Sequence, residues 1–387
     1  MKSVLDEDLE ILSKSNLAFE QFRGKSILIT GATGLIGSLL VKTFLYCNQI
    51  HHLGMKVYAL VRSIEKANTI FSDCVGAAEL KCVIADLEKD ELGDKIQIEG
   101  DCDYIIHAAA VTTSKLMVSN PVDNIRTAVN GTDKMLQFAV DKKCTSFIYI
   151  SSMEIYGQPS KEGKTGEQDY GYIDISSVRS CYPEGKRMCE CLCTAYASQY
   201  GLNVKSARLA QTFGPGILPT ENRVFAQFAR SAMNGQDIVL HTMGISEGNY
   251  VYTRDAVKAI IMLLTEGSAG QSYNIANEKS HMTIRQMAEL VVNEIADNKI
   301  QVVIDVPKDN SSLGYAPGVK MWLDASKIRA LGWQPEVDLA ESYRRMIKWM
   351  ERSRFRKWVN YMLFIETVEA QRHVMMQSNF CINLCSI

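Results

Sequence analysis

The chain has 387 residues, 47% of them hydrophobic, and 42 basic residues nearly balance 44 acidic ones for a net charge of −2. That length supports a large core and two domains, and the charge balance excludes a general attraction to nucleic acid or to a membrane surface. No apolar run reaches the roughly 18 to 20 residues of a membrane span, the opening MKSVLDEDLE is acidic where a secretory signal is basic, and the 11 scattered cysteines read as reduced thiols of a cytoplasmic protein.

In chain order, residues 1–23 read as an N-terminal helical extension. SILIT (26–30) is a β-branched strand, followed by a glycine turn and the apolar helix LIGSLLVKTFL. Further strands are KVYALV (56–61), KCVIA (81–85), DYIIHAA (103–109), SFIYIS (146–151) and NVKSARLA (203–210). Continuous apolar strands alternating with helices predict an α/β chain with a doubly wound parallel sheet buried on both faces. Ligands of such a Rossmann fold lie beyond the C-terminal strand ends. The predicted nucleotide-binding domain is 24–210, with 237–270 contributing. Residues 211–350 predict a smaller, discontinuous, mixed α/β substrate domain. It holds the loop GPGILPTENR and helices in VFAQFARSAM, DAVKAIIMLLTEG, TIRQMAELVVNEIA and LGWQPEVDLAESYRRMIKWM. The tail 351–387 is given no role.

GATGLIG (31–37) directly follows the first strand and opens a helix. Gly31 permits the tight turn, Gly34 lets backbone approach a pyrophosphate, and Gly37 lets the helix pack on the strand. The helix N-terminus offers unpaired N–H groups to that phosphate. Predicted cofactor contacts are Gly31, Thr33, Gly34, Leu35, Ile36 and Gly37, with Asp86 and Leu87 after the third strand and Ala108, Ala109 and Ala110 after the fourth. Asp86 also suits a helix cap. At the end of the second strand, Val61 stands where an NAD-binding acid is expected, and Arg62 follows. An arginine there pairs a 2′-phosphate, so the cofactor is NADP or NAD with a tilt to NADP; the plainer reading of Arg62 is a solvated loop residue.

Tyr182 and Lys186, in CYPEGKRMCE, stand one helical turn apart on one face. ISSMEIYG (150–157) ends the fifth strand at the same sheet edge as the nucleotide loop. A serine from that strand end, the tyrosine and the lysine form a proton-transfer set, in which the ammonium is expected to lower the phenol pKa from about 10 toward neutrality. Cys189, Cys191 and Cys193 do not converge on a metal, because helix positions two apart point about 200° away from one another. Cys189 and Cys193 are expected in the core, His107 is expected as a packed strand-end histidine, and no metal site is predicted.

GATGLIG, IIHAAA, AVNGT (128–132), ISSMEIYG and CYPEGKR occur in the order of the extended short-chain dehydrogenase/reductases, and the resemblance runs from about Gly24 to Met350. More narrowly, the chain resembles nucleotide-sugar epimerases, dehydratases and decarboxylases, with ARLAQTFGPG, NYVYTRDAVKAI and LGWQPEVDLAES matching their second half. The resemblance implies that Tyr182 removes a sugar hydroxyl proton, Lys186 holds the ribose, and Ser152 bonds the developing carbonyl oxygen. Hydride then passes from sugar C4 to the nicotinamide, giving a 4-keto sugar. Glu154 hints at proton movement at C5, or else is an idle strand-end charge, while Met153 replaces the acid of the best-known dehydratases.

Predicted substrate contacts are Ser152, Met153, Gln211 and Arg223. Gln211 stands where many relatives carry Asn, and Gly248 where they carry a diphosphate-binding arginine, for which Arg223 or Arg179 is a replacement. The reading is 4-epimerisation, dehydration or decarboxylation of a nucleotide sugar for surface polysaccharide synthesis. The alternatives are an NADPH-dependent keto-sugar reductase and a non-catalytic dinucleotide sensor. The resemblance also implies a homodimer through the two long helices, with Met188, Leu192 and Tyr196 on the seam.

Overall fold

The computed structural model describes residues 2–74, 77–90, 96–98, 100–218, 220–307 and 318–352. The strands are β1 Ser26–Thr30, β2 Lys56–Val61, β3 Leu80–Ile84, β4 Tyr104–His107, β5 Ser146–Ser152, β6 Val204–Leu209, β7 Gln211–Phe213, β8 Ile238–Leu240, β9 Glu247–Tyr252, β10 Ser272–Ile275, β11 Asn277–Thr283 and β12 Val302–Ile304. Seven of them form one parallel sheet in the order β10-β6-β5-β4-β1-β2-β3, the doubly wound arrangement with its order reversing between β1 and β4.

The strands of that sheet bury both faces except the edge strand β3, whose residues are half-buried or exposed. In β1, Ile27 and Ile29 pack with Leu40 and Phe44 of the helix Leu35–His51 and with Ile260 of the helix Thr253–Glu266. Leu28 faces the opposite way, joining Ile105, Phe147, Met135, Cys189 and Cys193 under the helices Pro121–Asp141 and Cys181–Tyr200. This is why the strand reads as a continuous apolar run rather than an alternating one. Pro121 opens its helix at the first turn, and Gly201 in the left-handed region (φ 67) closes Cys181–Tyr200.

Six strands of the sheet coincide with the predicted runs; the seventh, β10, does not come from an apolar run. Within 237–270, β8 pairs with β12 in a separate two-stranded sheet, whereas the helix Thr253–Glu266 packs on β5 and β6. A mixed three-stranded sheet, β11-β9-β7, and a third core built on Phe213, Phe225, Tyr250, Met287 and Tyr343 complete the second half. The stretch TIRQMAELVVNEIA is not one continuous α-helix: it turns to π geometry at Val291–Ile295. The N-terminal helix Val4–Ser13 is fastened by its buried Asp8, which accepts from Tyr252 Oη at 2.6 Å and from Arg345 at 3.0 Å. Among the described residues no helix is long and apolar enough to cross a membrane.

Candidate active site

The C-terminal ends of β1, β2, β4 and β5 carry the residues singled out above. At the end of β1, Gly31 takes φ 63, and a Cβ there would meet the backbone of Ala108 and Ala109 at 2.7 Å. A Cβ on Gly37 would stand 2.3 Å from the Gly31 carbonyl oxygen, so the helix approaches its own entry turn as closely as only glycine allows. Gly34 is the N-cap of that helix and is solvent-exposed, leaving its turn open to an anion. These features fit a dinucleotide: a cradle free of side chains at a helix N-terminus.

Around the cradle, Thr33, Leu35, Ile36 and Ala108–Ala110 are half-buried, and Arg62 is exposed at the end of β2. Asp86 accepts from the Glu88 N–H at 3.0 Å within a turn and is itself half-buried. Leu87 is buried against Gly131. Sequence reasoning did not single out Thr30. Its Oγ1 accepts from the Ala109 N–H at 3.1 Å and lies 2.7 Å from His107 Nδ1, while His107 Nε2 lies 3.2 Å from Thr132 Oγ1. His107 is buried, and burial pushes its pKa down to about 3, so the neutral ring acts as a packed strut behind the cradle wall.

Tyr182, in the first turn of Cys181–Tyr200, lies beside the end of β5, where the Ser152 hydroxyl accepts from the Glu154 N–H at 3.2 Å and favours the ionised phenol. Lys186 lies one turn on, buried, its Nζ donating to the Ile150 carbonyl at 2.7 Å and standing 4.7 Å from the Tyr149 ring centre. The expected lowering of the phenol pKa is not present here. Burial and the nearby Glu154 carboxylate push Tyr182 up to about 12, against smaller opposing effects of Ser152, Arg179 and Arg223. Lys186 is directed at a carbonyl rather than at the phenol, and burial pushes its own pKa down to about 8.

Glu154 follows in the turn Met153–Tyr156, and both of its carboxylate oxygens accept from Arg179 Nη2, at 3.0 and 2.8 Å. Met153 is buried in the same turn. Arg223, half-buried at the head of the helix Val224–Asn234, pairs with Glu221 at 2.7 Å. Both arginines considered for a diphosphate therefore carry an internal counter-ion. Gln211 is half-buried at the start of β7, across from Tyr250 of β9.

Beneath the site, Arg208 is 1% exposed and holds Glu190 (2.6 Å), the Tyr156 and Tyr170 hydroxyls and the Glu167 carbonyl. This ties the loop after β5 to the helix of Tyr182. Cys189 and Cys193 are buried and Cys191 is exposed. Met188 is 51% exposed, while Leu192 and Tyr196 are half-buried and pack inward against the core that holds Cys189 and Cys193.

A model of the NAD dependent epimerase/dehydratase family matches residues 27–276. UDP-glucuronic acid decarboxylase 6 of Arabidopsis thaliana is 30% identical over 324 residues, 81% of this chain and 85% of that protein. dTDP-D-glucose 4,6-dehydratase of Mus musculus is 25% identical over 258 residues, 67% of this chain and 70% of its own length. Among solved structures, UDP-glucose 4-epimerase of Thermotoga maritima with UDP-glucose superimposes with a TM-score of 0.69 at 22% identity, covering 85% of this chain and 99% of that one. UDP-glucuronic acid 4-epimerase of Bacillus cereus, in complex with UDP-glucuronic acid and NAD, gives 0.69 at 20% identity, covering 84% and 99%. These two structures share the fold of this chain.

Proposed function

The chain belongs to the NAD-dependent epimerase/dehydratase family of extended short-chain dehydrogenase/reductases, and from that premise we propose that it modifies a nucleotide-activated sugar through a 4-keto intermediate. The observation that carries this reading is the placement of Tyr182 and Lys186 in one helical turn against the end of β5, at the sheet edge that also presents the Gly31 cradle. In this proposal Tyr182 takes the proton of the C4 hydroxyl while Ser152 donates to the oxygen as it becomes a carbonyl. Lys186 anchors the ribose hydroxyls. A bound nicotinamide supplies the acceptor for the C4 hydride. Glu154 moves a proton at C5, which opens epimerisation, dehydration or decarboxylation once C4 is a ketone.

Gly31, Thr33, Gly34, Leu35, Ile36, Gly37, Asp86, Leu87 and Ala108–Ala110 hold the dinucleotide in this proposal, with Met153, Gln211 and Arg223 toward the sugar nucleotide. Arg62, exposed at the end of β2, favours NADP over NAD. It also favours a second reading, a keto-sugar reductase that exchanges NADPH at every turnover. The exposed Val122, Ile125 and Met188 support pairing of two copies through the helices Pro121–Asp141 and Cys181–Tyr200.

The test is mass spectrometry of products from UDP-, dTDP-, GDP- and CDP-sugars with NAD or NADP. Loss of water, loss of carbon dioxide or a new isomer of unchanged mass identifies the reaction. No change with any sugar, in parallel with Tyr182→Phe, removes the proposal.

A further inference from the structure

Two short turns meet at Tyr182. One, Met153–Tyr156, continues β5 and carries Glu154; the other, Val178–Ser180, leads into the helix Cys181–Tyr200 and carries Arg179. The ion pair between them is partly shielded, with side chains 32% and 18% exposed, and the guanidinium lies 5.5 Å from the Tyr182 ring centre. The segments it joins run directly on from Ser152 at the end of β5 and directly into the helix of Tyr182. A pair in that place sets how the strand end and the helix start sit against each other, and it lays two opposite charges beside one ionisable ring.

We propose that Arg179 is a positioning residue of the reaction, which holds Glu154 against Tyr182 and offsets its charge so that the tyrosine can act as base. This rests on the reading of Tyr182 as the proton acceptor. The charged groups facing the phenol are few. Glu154 comes from the turn after β5, Arg179 from the turn before its own helix, and Arg223 from the helix Val224–Asn234, already paired with Glu221. Lys186 is on the same helix, 5.9 Å from the ring centre but bonded to the Ile150 carbonyl, and Tyr149 of β5 is a buried neutral phenol. Of these, Glu154 disfavours the phenolate, and Arg179 and Arg223 favour it. With the pair intact the two nearest charges oppose each other. Removing either one leaves the other unbalanced, and the two removals act in opposite directions.

That opposition separates the proposal from a purely structural staple. The measurement is 19F NMR titration of the full-length protein carrying 3-fluorotyrosine, whose fluorine lowers every phenol pKa into a workable range, with Tyr182→Phe assigning the resonance. Glu154→Gln is expected to move the Tyr182 midpoint down by about one pH unit, and Arg179→Met to move it up by about as much. The double variant returns toward the parent midpoint, and Arg179→Lys stays close to it. Two shifts of the same sign, or a midpoint unmoved by Arg179→Met, overturn the proposal, even where both variants lose thermal stability. No sugar enters this titration, so a failure to turn over any nucleotide sugar defeats the proposed function and leaves this result standing.

Discussion

Gly31 faces Ala108 across so narrow a gap that a Cβ on the glycine would stand 2.7 Å from the alanine's carbonyl carbon and oxygen. The obstacle is backbone, which has no flexible end to move aside. Gly31→Ala therefore combines strain at φ 63 with displacement of the cradle wall. It is expected to lower stability by about 2 kcal/mol and NAD affinity by roughly tenfold or more. Gly54 is the control: its φ is 65, yet nothing lies within 4 Å of the added Cβ. Gly54→Ala shows the strain alone, and a calorimetric titration that finds equal NAD binding losses in both variants refutes the cradle.

Tyr182→Phe keeps the ring and removes the proton acceptor. Turnover is expected to fall by about 100- to 10,000-fold with nucleotide binding retained. In the parent, burial and Glu154 hold the phenol up at about 12. The phenolate is then a minor species at neutral pH and grows about tenfold per pH unit. The initial rate is thus expected to climb between roughly pH 7 and 9, and a flat profile there points to another base.

Two buried lysines make stability depend on pH. Lys186 and Lys205 are pushed down to about 8 from an ordinary 10.5 by burial, and Lys205 Nζ donates to the Ser146 hydroxyl at 2.7 Å. Below about pH 8 both states hold the proton, and the full cost of a buried ammonium is present. Between the two values the unfolded chain is more protonated than the folded one, so stability rises with pH. Each lysine contributes about 3 kcal/mol to that rise. Lys205→Met and Lys186→Met should each flatten it in urea unfolding at several pH values. The buried thiols Cys47 and Cys144, raised to about 12, act oppositely above pH 9 but cancel in the difference between variant and parent.

Glu190→Gln removes the one carboxylate paired with Arg208 among the described residues, leaving a guanidinium that is 1% exposed without a counter-ion. The expected loss is about 3 to 5 kcal/mol in chemical unfolding. Arg208→Met combined with Glu190→Leu should recover much of it. A single-variant loss under about 1 kcal/mol sinks this account of the loop's anchorage.

Local features of this chain were legible; long-range ones were not. SILIT and SFIYIS announce buried parallel strands because both faces are covered, and GATGLIG announces its turn because the geometry lies within seven residues. Tyr182 and Lys186 share a helix face for the same local reason. β10 escapes notice because SYNI is four residues long and half polar, and Asn274 within it is spent bridging Tyr156 to the Thr165 and Asp324 carbonyls. The Glu154–Arg179 pair spans 25 residues and exists only because two turns meet. The sign of the phenol's shift depends on burial and on where Lys186 points, and neither is written in a one-turn spacing.

Asp8 and Arg345 lie 337 positions apart, and the same carboxylate also receives Tyr252. During synthesis the first helix leaves the ribosome long before either partner exists. Its buried acid has to stay hydrated until Tyr252 and Arg345 have emerged, since an unpaired carboxylate is costly to bury. Contacts of such separation form late. The helix Val4–Ser13 is thus the last piece to lock rather than a seed for folding, and in refolding it should acquire amide-exchange protection together with the segment that carries Arg345, after the sheet.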